Sequence, residues 1–328
     1  MQLSQENALN LAIEKLQKSG ATTENAIPLA KGIIDAENQG IKSHGFHYLP
    51  IYCLHLSCGK VKGDALPSLQ QISNSAFKVN ADNGFAHRAI DFAFKEIINS
   101  AKQNGIASAG ISNSYNCGVL GYHTRCLAEQ GLVGIGFTNA PASIAPLGGI
   151  KAVVGTNPFS IAVPVDGKVK LIVDQSASVI AKSEISVRAK TNEPIPEGWA
   201  YGPDGKFTTD ANEALKGTMA PSGGYKGFGV GLLVEIMAAC LGGGNLGTQA
   251  SSFANDVGGP PATGQFFMAF NPSMFNKNFN TQINQLLNSI EEQEGARIPG
   301  SSRISNFDKN KEAAINIKDT LFETISKI

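Results

Sequence analysis

The chain has 328 residues, of which 42% are hydrophobic and 16% are charged, enough for two domains or for one large α/β domain with an insertion. Its 27 Lys and Arg residues balance 27 Asp and Glu residues, so it lacks the net positive field that attracts nucleic acid or anionic lipid. This composition argues against a nucleic-acid partner and a membrane-surface role, and the longest apolar stretches are too short to span a bilayer.

Helical periodicity marks both ends of the chain. The apolar spacing predicts a first helix that stops at Gly20, a second from Thr22 or Thr23 to about Gly40, and a third that ends at Gly105. Two further helices are predicted near 275–290 and 317–325. We expect the two ends to pack as one helical domain, residues 1–75 with 272–328, around an inserted β-rich domain, residues 76–271.

The middle of the chain predicts a sheet. Short apolar runs between 106 and 175 indicate strands, with one helix near 118–130 and a further strand at 264–270. Residues 188–224 are rich in Pro, Gly, Thr and Asp and predict a long ordered loop. The segment 226–241 is apolar on nearly every face, which predicts a buried central helix.

The N-terminal segment and the cysteines both favour a cytoplasmic protein. The segment MQLSQENALNLAIEKLQ lacks the basic and apolar regions of a secretory signal. The five cysteines are an odd number without CxxC spacing, which argues against a disulfide framework and against a zinc site. We expect reduced thiols and no metal.

Several common catalytic motifs are absent. The chain contains no GxxxxGK[ST], HExxH or GxSxG sequence. A GxGxxG match at Gly242, Gly244 and Gly247 follows a predicted helix instead of a strand, so an ordinary Rossmann site is not expected.

The segment GIKSHGFHYLPIY contains the first candidate catalytic residue, His44. It follows Ser43 and precedes Gly45 at the expected break between two helices. A histidine on such a turn can act as an acid while the neighbouring hydroxyl orients its ring. The alternative is a histidine that only binds backbone at a helix start.

The segment SNSYNCGVLGYH runs from a predicted strand into a predicted helix. Free backbone N–H groups at this junction could hold a phosphate or a carboxylate. The alternative is a simple capped helix, with Asn116 or Ser114 as the cap. Cys117 has no base near it in the sequence, so we interpret it as a packing residue.

Two further segments carry candidate binding residues. Thr156 precedes Asn157 and a proline at a strand start, where its hydroxyl would suit polar atoms of a substrate. Glu184 follows Asp174 by ten residues and could raise a histidine's pKa, although a surface carboxylate is the simpler interpretation.

Lys226, flanked by glycines at a helix start, is a possible phosphate clamp or a solvated lysine. Arg303, which follows Pro299 and Gly300, would add a second cation.

Ten ordered runs between residues 40 and 303 resemble the malate/L-lactate dehydrogenase family of non-Rossmann oxidoreductases. They are SHGFHYLPIY, NSYNCGVLGYH, APLGG, VGTNPFSIAVP, DQSAS, IPEGWA, PDGKFTTD, GGYKGFGVGLLVE, GGPPATGQFFMAF and RIPGSSR. The resemblance implies an α/β (α+β) fold, in which a largely antiparallel sheet forms the NAD(P)-binding domain and both chain ends form a helical domain. It also implies a homodimer.

The resemblance implies roles for the candidate residues. His44 would donate a proton while the nicotinamide of NAD or NADP delivers hydride, with Ser43 and an acidic residue orienting the ring. In imine-reducing members that acid stands where Glu184 stands here, whereas many hydroxy-acid members have Lys. Expected substrate contacts are Tyr48, Thr156, Lys182 and Ser183. Expected cofactor contacts are Asn116, Cys117, Gly118, Val119, Leu120, Asp174, Gln175, Ser176, Lys226, Gly227 and Gly300 to Asn306, including Arg303.

Two positions depart from the family pattern. Tyr48 replaces the usual Arg that grips the substrate carboxylate, and Asn116 replaces the usual His of the NSNHFG motif. Anchoring of the carboxylate would then come from elsewhere, for example from Lys182, Arg188 or Lys151, or the substrate differs.

The sequence therefore predicts an oxidoreductase that interconverts a small 2-hydroxy acid and a 2-oxo acid. One alternative is a reductase of cyclic 2-imino acids such as Δ1-piperideine- or Δ1-pyrroline-2-carboxylate, favoured by Glu184. Another is a catalytically silent dinucleotide-binding protein, suggested by Tyr48 and Asn116.

Overall fold

A seven-stranded sheet between helices organises the computed structural model, which describes residues 1–328. The helices are α1 (Gln5–Lys18), α2 (Thr23–Gln39), α3 (Leu49–Ser57), α4 (Ala86–Asn104), α5 (Leu120–Ala128), α6 (Lys182–Thr191), α7 (Ala211–Lys216), α8 (Tyr225–Glu235), α9 (Pro272–Phe275), α10 (Phe279–Glu291), α11 (Ser301–Asn310) and α12 (Asp319–Ser326). The strands are β1 (Gln2–Leu3), β2 (Ser68–Ser73), β3 (Ala76–Asn80), β4 (Ile106–Ser114), β5 (Val133–Thr138), β6 (Phe159–Val165), β7 (Lys168–Gln175), β8 (Ala200–Tyr201), β9 (Thr218–Met219), β10 (Thr263–Phe270) and β11 (Ile315–Asn316).

The sheet has the order β2-β3-β4-β10-β5-β6-β7. Only the pair β3 and β4 is parallel, because α4 carries the chain back across the sheet between them, as a parallel connection requires. All other neighbouring strands of this sheet are antiparallel. The expectation of a largely antiparallel, non-Rossmann sheet is confirmed.

The two chain ends share one hydrophobic core. β1 pairs with β11, with Leu3 opposite Ile315, and the buried side chains of Leu16 and Ile325 belong to the same cluster. The two chain ends therefore pack together, as expected. The division into a helical domain, residues 1–75 with 272–328, and an inserted domain stays a prediction; β2 lies in the central sheet and α10 packs against β6.

The prediction that 226–241 is buried on all sides is wrong for this chain. The segment forms α8 and a π-helix, Ile236–Leu241, and only one face packs on the sheet. A Cβ added at Gly264 would lie 2.0 Å from the Ala238 carbonyl oxygen, so this glycine permits close approach of helix and sheet. Leu233 remains 51% exposed on the opposite face; with one flank covered, an all-apolar helix must expose the other.

The prediction of a long loop over 188–224 is wrong in part. The region contains the end of α6, then α7 and the paired strands β8 and β9. Ile185, Ala200 and Met219 belong to a small core of its own. These elements have two to ten residues, too few for periodicity to reveal them.

None of the helices is long and apolar enough to cross a membrane.

Candidate active site

His44 lies on a 3-10 turn, residues Lys42–His44, between α2 and α3. Gly40 ends α2 in the left-handed conformation, with φ of 80°. The buried carboxylate of Glu37 fixes the other side of the turn by accepting from the Phe46 N–H at 2.8 Å. A Cβ at Gly45 would lie 2.2 Å from the same Glu37 oxygen. Glycine at position 45 therefore lets the turn fold against α2.

The His44 ring is held by Ser43, as the sequence predicts. The Ser43 Oγ lies 3.0 Å from His44 Nδ1, and Nε2 has no protein partner. Burial lowers the pKa of His44; the Asp174 carboxylate opposes this effect and the Arg303 guanidinium adds to it. The ring is thus oriented through one nitrogen and open at the other.

Asp174, at the end of β7, brings distant elements together beside His44. Its Oδ2 accepts from Arg303 Nη1 at 2.7 Å and from the Gly121 N–H at 3.2 Å. A cavity of about 250 Å³ lies against this pair and is lined in part by Gln175 and Gly300. Four predicted cofactor residues, Asp174, Gln175, Gly300 and Arg303, therefore meet at one cavity, whereas Ser176 binds Ser178 at 3.0 Å.

The segment that leads into α5 presents free backbone donors. Gly118 donates to Asn116 Oδ1 at 2.6 Å. The N–H groups of Asn116, Cys117, Val119 and Leu120 have no hydrogen-bond partner in the protein. Such donors at a helix start fit the oxygen atoms of a phosphate. Cys117 is buried, which raises its pKa to about 12, so the thiol is neutral at physiological pH.

Thr156 is hydrogen-bonded to the segment that follows β7, and the next residue, Asn157, belongs to a buried polar network. Its carbonyl accepts from the Ala177 N–H at 2.7 Å. The fully buried Asn157 donates to Glu235 Oε2 at 2.7 Å, and Glu235 Oε1 accepts from Gly247 at 2.6 Å. Sequence reasoning missed Glu235, although an acidic residue in an apolar run is the kind of signal that reveals it.

Some predicted residues do not line this cavity. Lys182, Ser183 and Glu184 are exposed in the first turn of α6. Glu184 forms no ion pair, and the carboxylate that acts on the pKa of His44 is that of Asp174. Lys226 is exposed at the start of α8 beside the buried Gly227, and neither residue lines the cavity.

Tyr48 lies at the start of α3, one turn beyond His44. Its hydroxyl donates to the Phe253 carbonyl at 3.2 Å. Burial raises the pKa of this hydroxyl, and the neighbouring Asn116 amide and Tyr115 hydroxyl oppose the rise. Phe253 and its loop were not identified from the sequence.

Comparisons with known proteins agree with this fold. The family model described as malate/L-lactate dehydrogenase matches residues 3–326. The chain is 38% identical over 301 residues to the (2R)-3-sulfolactate dehydrogenase (NADP(+)) of Chromohalobacter salexigens, covering 92% of this chain and 90% of that protein. It is 32% identical over 322 residues to the Δ1-pyrroline-2-carboxylate reductase of Ancylobacter novellus, covering 97% and 94%. The solved Δ1-piperideine-2-carboxylate reductase of Pseudomonas syringae pvar. tomato superposes with a TM-score of 0.93 at 27% identity, covering 100% and 99%.

Proposed function

Because the chain belongs to the malate/L-lactate dehydrogenase family and is an NAD(P)-dependent oxidoreductase, we propose that it interconverts a small 2-hydroxy acid and the corresponding 2-oxo acid. The observation that carries this proposal is His44, oriented by Ser43 at Nδ1 and unpartnered at Nε2. The similarity to a sulfolactate dehydrogenase favours a substrate of the malate, lactate or sulfolactate type.

His44 is the proposed proton donor in the direction of reduction. With Ser43 at Nδ1, the Nε2 atom is the one available to pass a proton to the substrate oxygen. The nearby Asp174 charge favours the protonated ring. In the direction of oxidation the neutral ring accepts the proton from the hydroxyl group.

The residues around the cavity fit a nicotinamide dinucleotide. The free N–H groups before α5 and the Arg303 guanidinium suit phosphate oxygens, and Gly300 allows α11 to start close to β7, where a Cβ would lie 2.5 Å from the Ile172 carbonyl oxygen. When bound, the nicotinamide supplies or accepts hydride. We propose that Asn116 to Leu120, Asp174 to Ser176, Lys226, Gly227, Gly300 and Arg303 hold it.

A second candidate function is reduction of a cyclic 2-imino acid. It is favoured by the pyrroline-2-carboxylate reductase relative and by the acidic residue at position 184. A ring imine and a ketone differ in how the proton is taken up, because the imine nitrogen is far more basic than a ketone oxygen. The two functions therefore predict different substrates and different pH optima.

One assay separates these functions. Oxidation of NADH and NADPH would be followed with pyruvate, oxaloacetate, sulfopyruvate and Δ1-piperideine-2-carboxylate. We expect turnover of a 2-oxo acid, and a loss of at least about 100-fold in kcat for His44→Asn, with the exposed His47→Asn as the matched control. Preferential turnover of the cyclic imine supports the second function. Dinucleotide binding by calorimetry without turnover of any of these acids supports a silent binding protein.

We also propose that the chain is a cytoplasmic homodimer. The outer face of α8 and the following π-helix leaves Leu233, Ile236 and Leu241 exposed by 51%, 51% and 60%, and such a contiguous apolar face is typical of a protein interface. All five cysteines are free thiols, which suits a reducing compartment.

A further inference from the structure

His123 reaches back from the first half of α5 to the segment that precedes this helix. Its Nε2 lies 2.9 Å from the Cys117 carbonyl oxygen, and the residue is 2% exposed. A carbonyl oxygen can only accept a hydrogen bond, so Nε2 carries the proton and donates it. Burial lowers the pKa of His123 to about 4, so the donor is a neutral ring at physiological pH. The Cys117 carbonyl is therefore held toward the interior of the protein.

The His123 ring is itself fixed by buried rings of other elements. Its centroid lies 5.9 Å from that of Phe267 on β10, and 6.4 Å and 5.2 Å from those of Phe94 and His87 on α4. Both phenylalanine rings meet it edge to face, an arrangement that aromatic rings favour. The direction in which Nε2 points is therefore set by the packing of α4 and β10 against α5.

The peptide group between Cys117 and Gly118 is bound at both of its polar ends. Its carbonyl accepts from His123, and its N–H donates to Asn116 Oδ1 at 2.6 Å. In a trans peptide these two ends point in opposite directions. One side-chain bond on each side therefore fixes the plane of this peptide.

Gly118 is the reason that this peptide needs to be fixed. Its φ is 67°, and glycine adopts positive and negative φ about equally readily, so the backbone itself offers little resistance to a rotation of the preceding peptide. The N–H groups of Cys117, Val119 and Leu120, on either side, have no protein partner. A rotated peptide would turn its carbonyl oxygen out of the interior and toward an anion bound at these donors, and would repel that anion.

Resting on the proposed function, we propose that His123 is a positioning residue for the phosphates of the dinucleotide. Its Nε2–H keeps the peptide between Cys117 and Gly118 in the orientation that turns the carbonyl away from the phosphates and leaves the neighbouring N–H groups to bind them. Because His123 is buried beneath this segment, it acts through the Cys117 carbonyl and not by contact with the cofactor.

The test compares His123→Leu, which removes the donor, with His123→Gln, whose amide N–H replaces that of Nε2. Calorimetry measures the affinity for whichever of NADH and NADPH wild type binds more tightly. This affinity should fall about tenfold in His123→Leu, the range that loss of a neutral hydrogen bond covers, and should stay within about threefold of wild type in His123→Gln. The same loss is expected with ADP-ribose, which keeps the two phosphates and lacks the nicotinamide. At saturating cofactor, kcat and the KM for the acid should change less than about threefold.

Ser100→Ala is the control for a purely structural effect. Ser100 is also buried, and its Oγ donates to the Asn74 carbonyl at 2.6 Å, so this substitution removes a bond of the same kind from α4. It should lower the Tm and leave the cofactor affinity unchanged. An unchanged affinity in His123→Leu, an equal loss in His123→Gln, or a loss that is absent with ADP-ribose would overturn the role of His123.

The binding data are separate from acid turnover. If wild type binds the dinucleotide but reduces none of the acids, the proposed reaction fails, whereas a tenfold loss of affinity confined to His123→Leu still supports this inference. A wild type that binds neither NADH nor NADPH refutes both.

Discussion

Arg303 donates from Nη1 to Asp174 Oδ2 at 2.7 Å, and the two charges act on the pKa of His44 in opposite directions. The ion pair therefore does more than join α11 to β7. It also places two charges with opposite effects on the pKa of His44 next to each other.

Removing one partner at a time should shift the pH dependence of catalysis in opposite directions. In the direction of reduction His44 must be protonated, so kcat falls as the pH rises through its pKa. Arg303→Gln removes the charge that lowers this pKa, and the falling limb should move to higher pH. Asp174→Asn removes the charge that raises it, and the limb should move to lower pH.

The measurement is a pH profile of kcat at saturating cofactor and substrate. Asp166→Asn, on the turn between β6 and β7, is a control for the change in overall charge and should leave the limb in place. Shifts in the same direction for both active-site variants would contradict the proposed role of the pair.

Lys60→Met should loosen the loop 252–257. The substitution keeps the buried stem but removes the donor from the carbonyls of Ser252, Asn255 and Val257, of which only that of Asn255 keeps another donor, His55 Nε2. We expect a lower Tm and faster hydrogen exchange confined to the loop and α3. Lys62→Met, at an exposed lysine that pairs with Asp82, is the matched control, and equal exchange in the two variants would contradict a role of Lys60 in holding this loop.

The buried pair His87 and His123 should make the protein sensitive to acid. Burial lowers the pKa of His87 well below its ordinary value and that of His123 to about 4. Their rings are 5.2 Å apart. Because the unfolded chain binds protons near pH 6.5 and the folded chain does not, stability is full above that pH and is lost as the pH falls toward 4.

Urea unfolding from pH 7.5 to 4.5 measures this effect. His123→Gln, which can still donate to the Cys117 carbonyl that His123 binds at 2.9 Å, should flatten the pH dependence. The exposed His47→Gln should not. A wild-type midpoint that does not change between pH 6.5 and 4.5 would exclude this account.

Leu233→Glu should convert the proposed dimer into monomers. The change puts a charge at the centre of the exposed apolar face of α8, where burial in an interface would leave it unpaired. Light scattering coupled to size-exclusion chromatography gives the mass. Leu286→Glu, on the exposed side of α10, should keep the wild-type mass; a monomeric wild type would refute the dimer.

Much of the proposed site was visible in the sequence because its signals are local. Ser43, His44 and Gly45 are neighbours, so turn chemistry alone predicts a histidine held by a hydroxyl. The segment around Asn116 combines a strand end with a helix start, and its free donors follow from that junction. Gly300, which directly precedes α11, is likewise a local signal of a helix start.

The contacts that connect these segments were not visible. Glu184 was the expected acidic partner of His44; α6 keeps it exposed, and the carboxylate that raises the pKa of His44 is that of Asp174. Lys60 binds carbonyls more than 190 positions away. Every residue type has a backbone carbonyl, so the sequence does not show which carbonyls act as acceptors. No local pattern could have indicated these hydrogen bonds of Lys60.

By itself the sequence determined the family, the antiparallel sheet, the union of the two chain ends and the histidine that we propose as the proton donor. Only the tertiary structure decided which carboxylate acts on the pKa of that histidine, which carbonyl the Tyr48 hydroxyl binds, and that α8 has an uncovered apolar face. Periodicity and turn preference depend on adjacent residues, whereas the approach of charges and amides depends on how distant elements pack, which neighbouring residues do not encode.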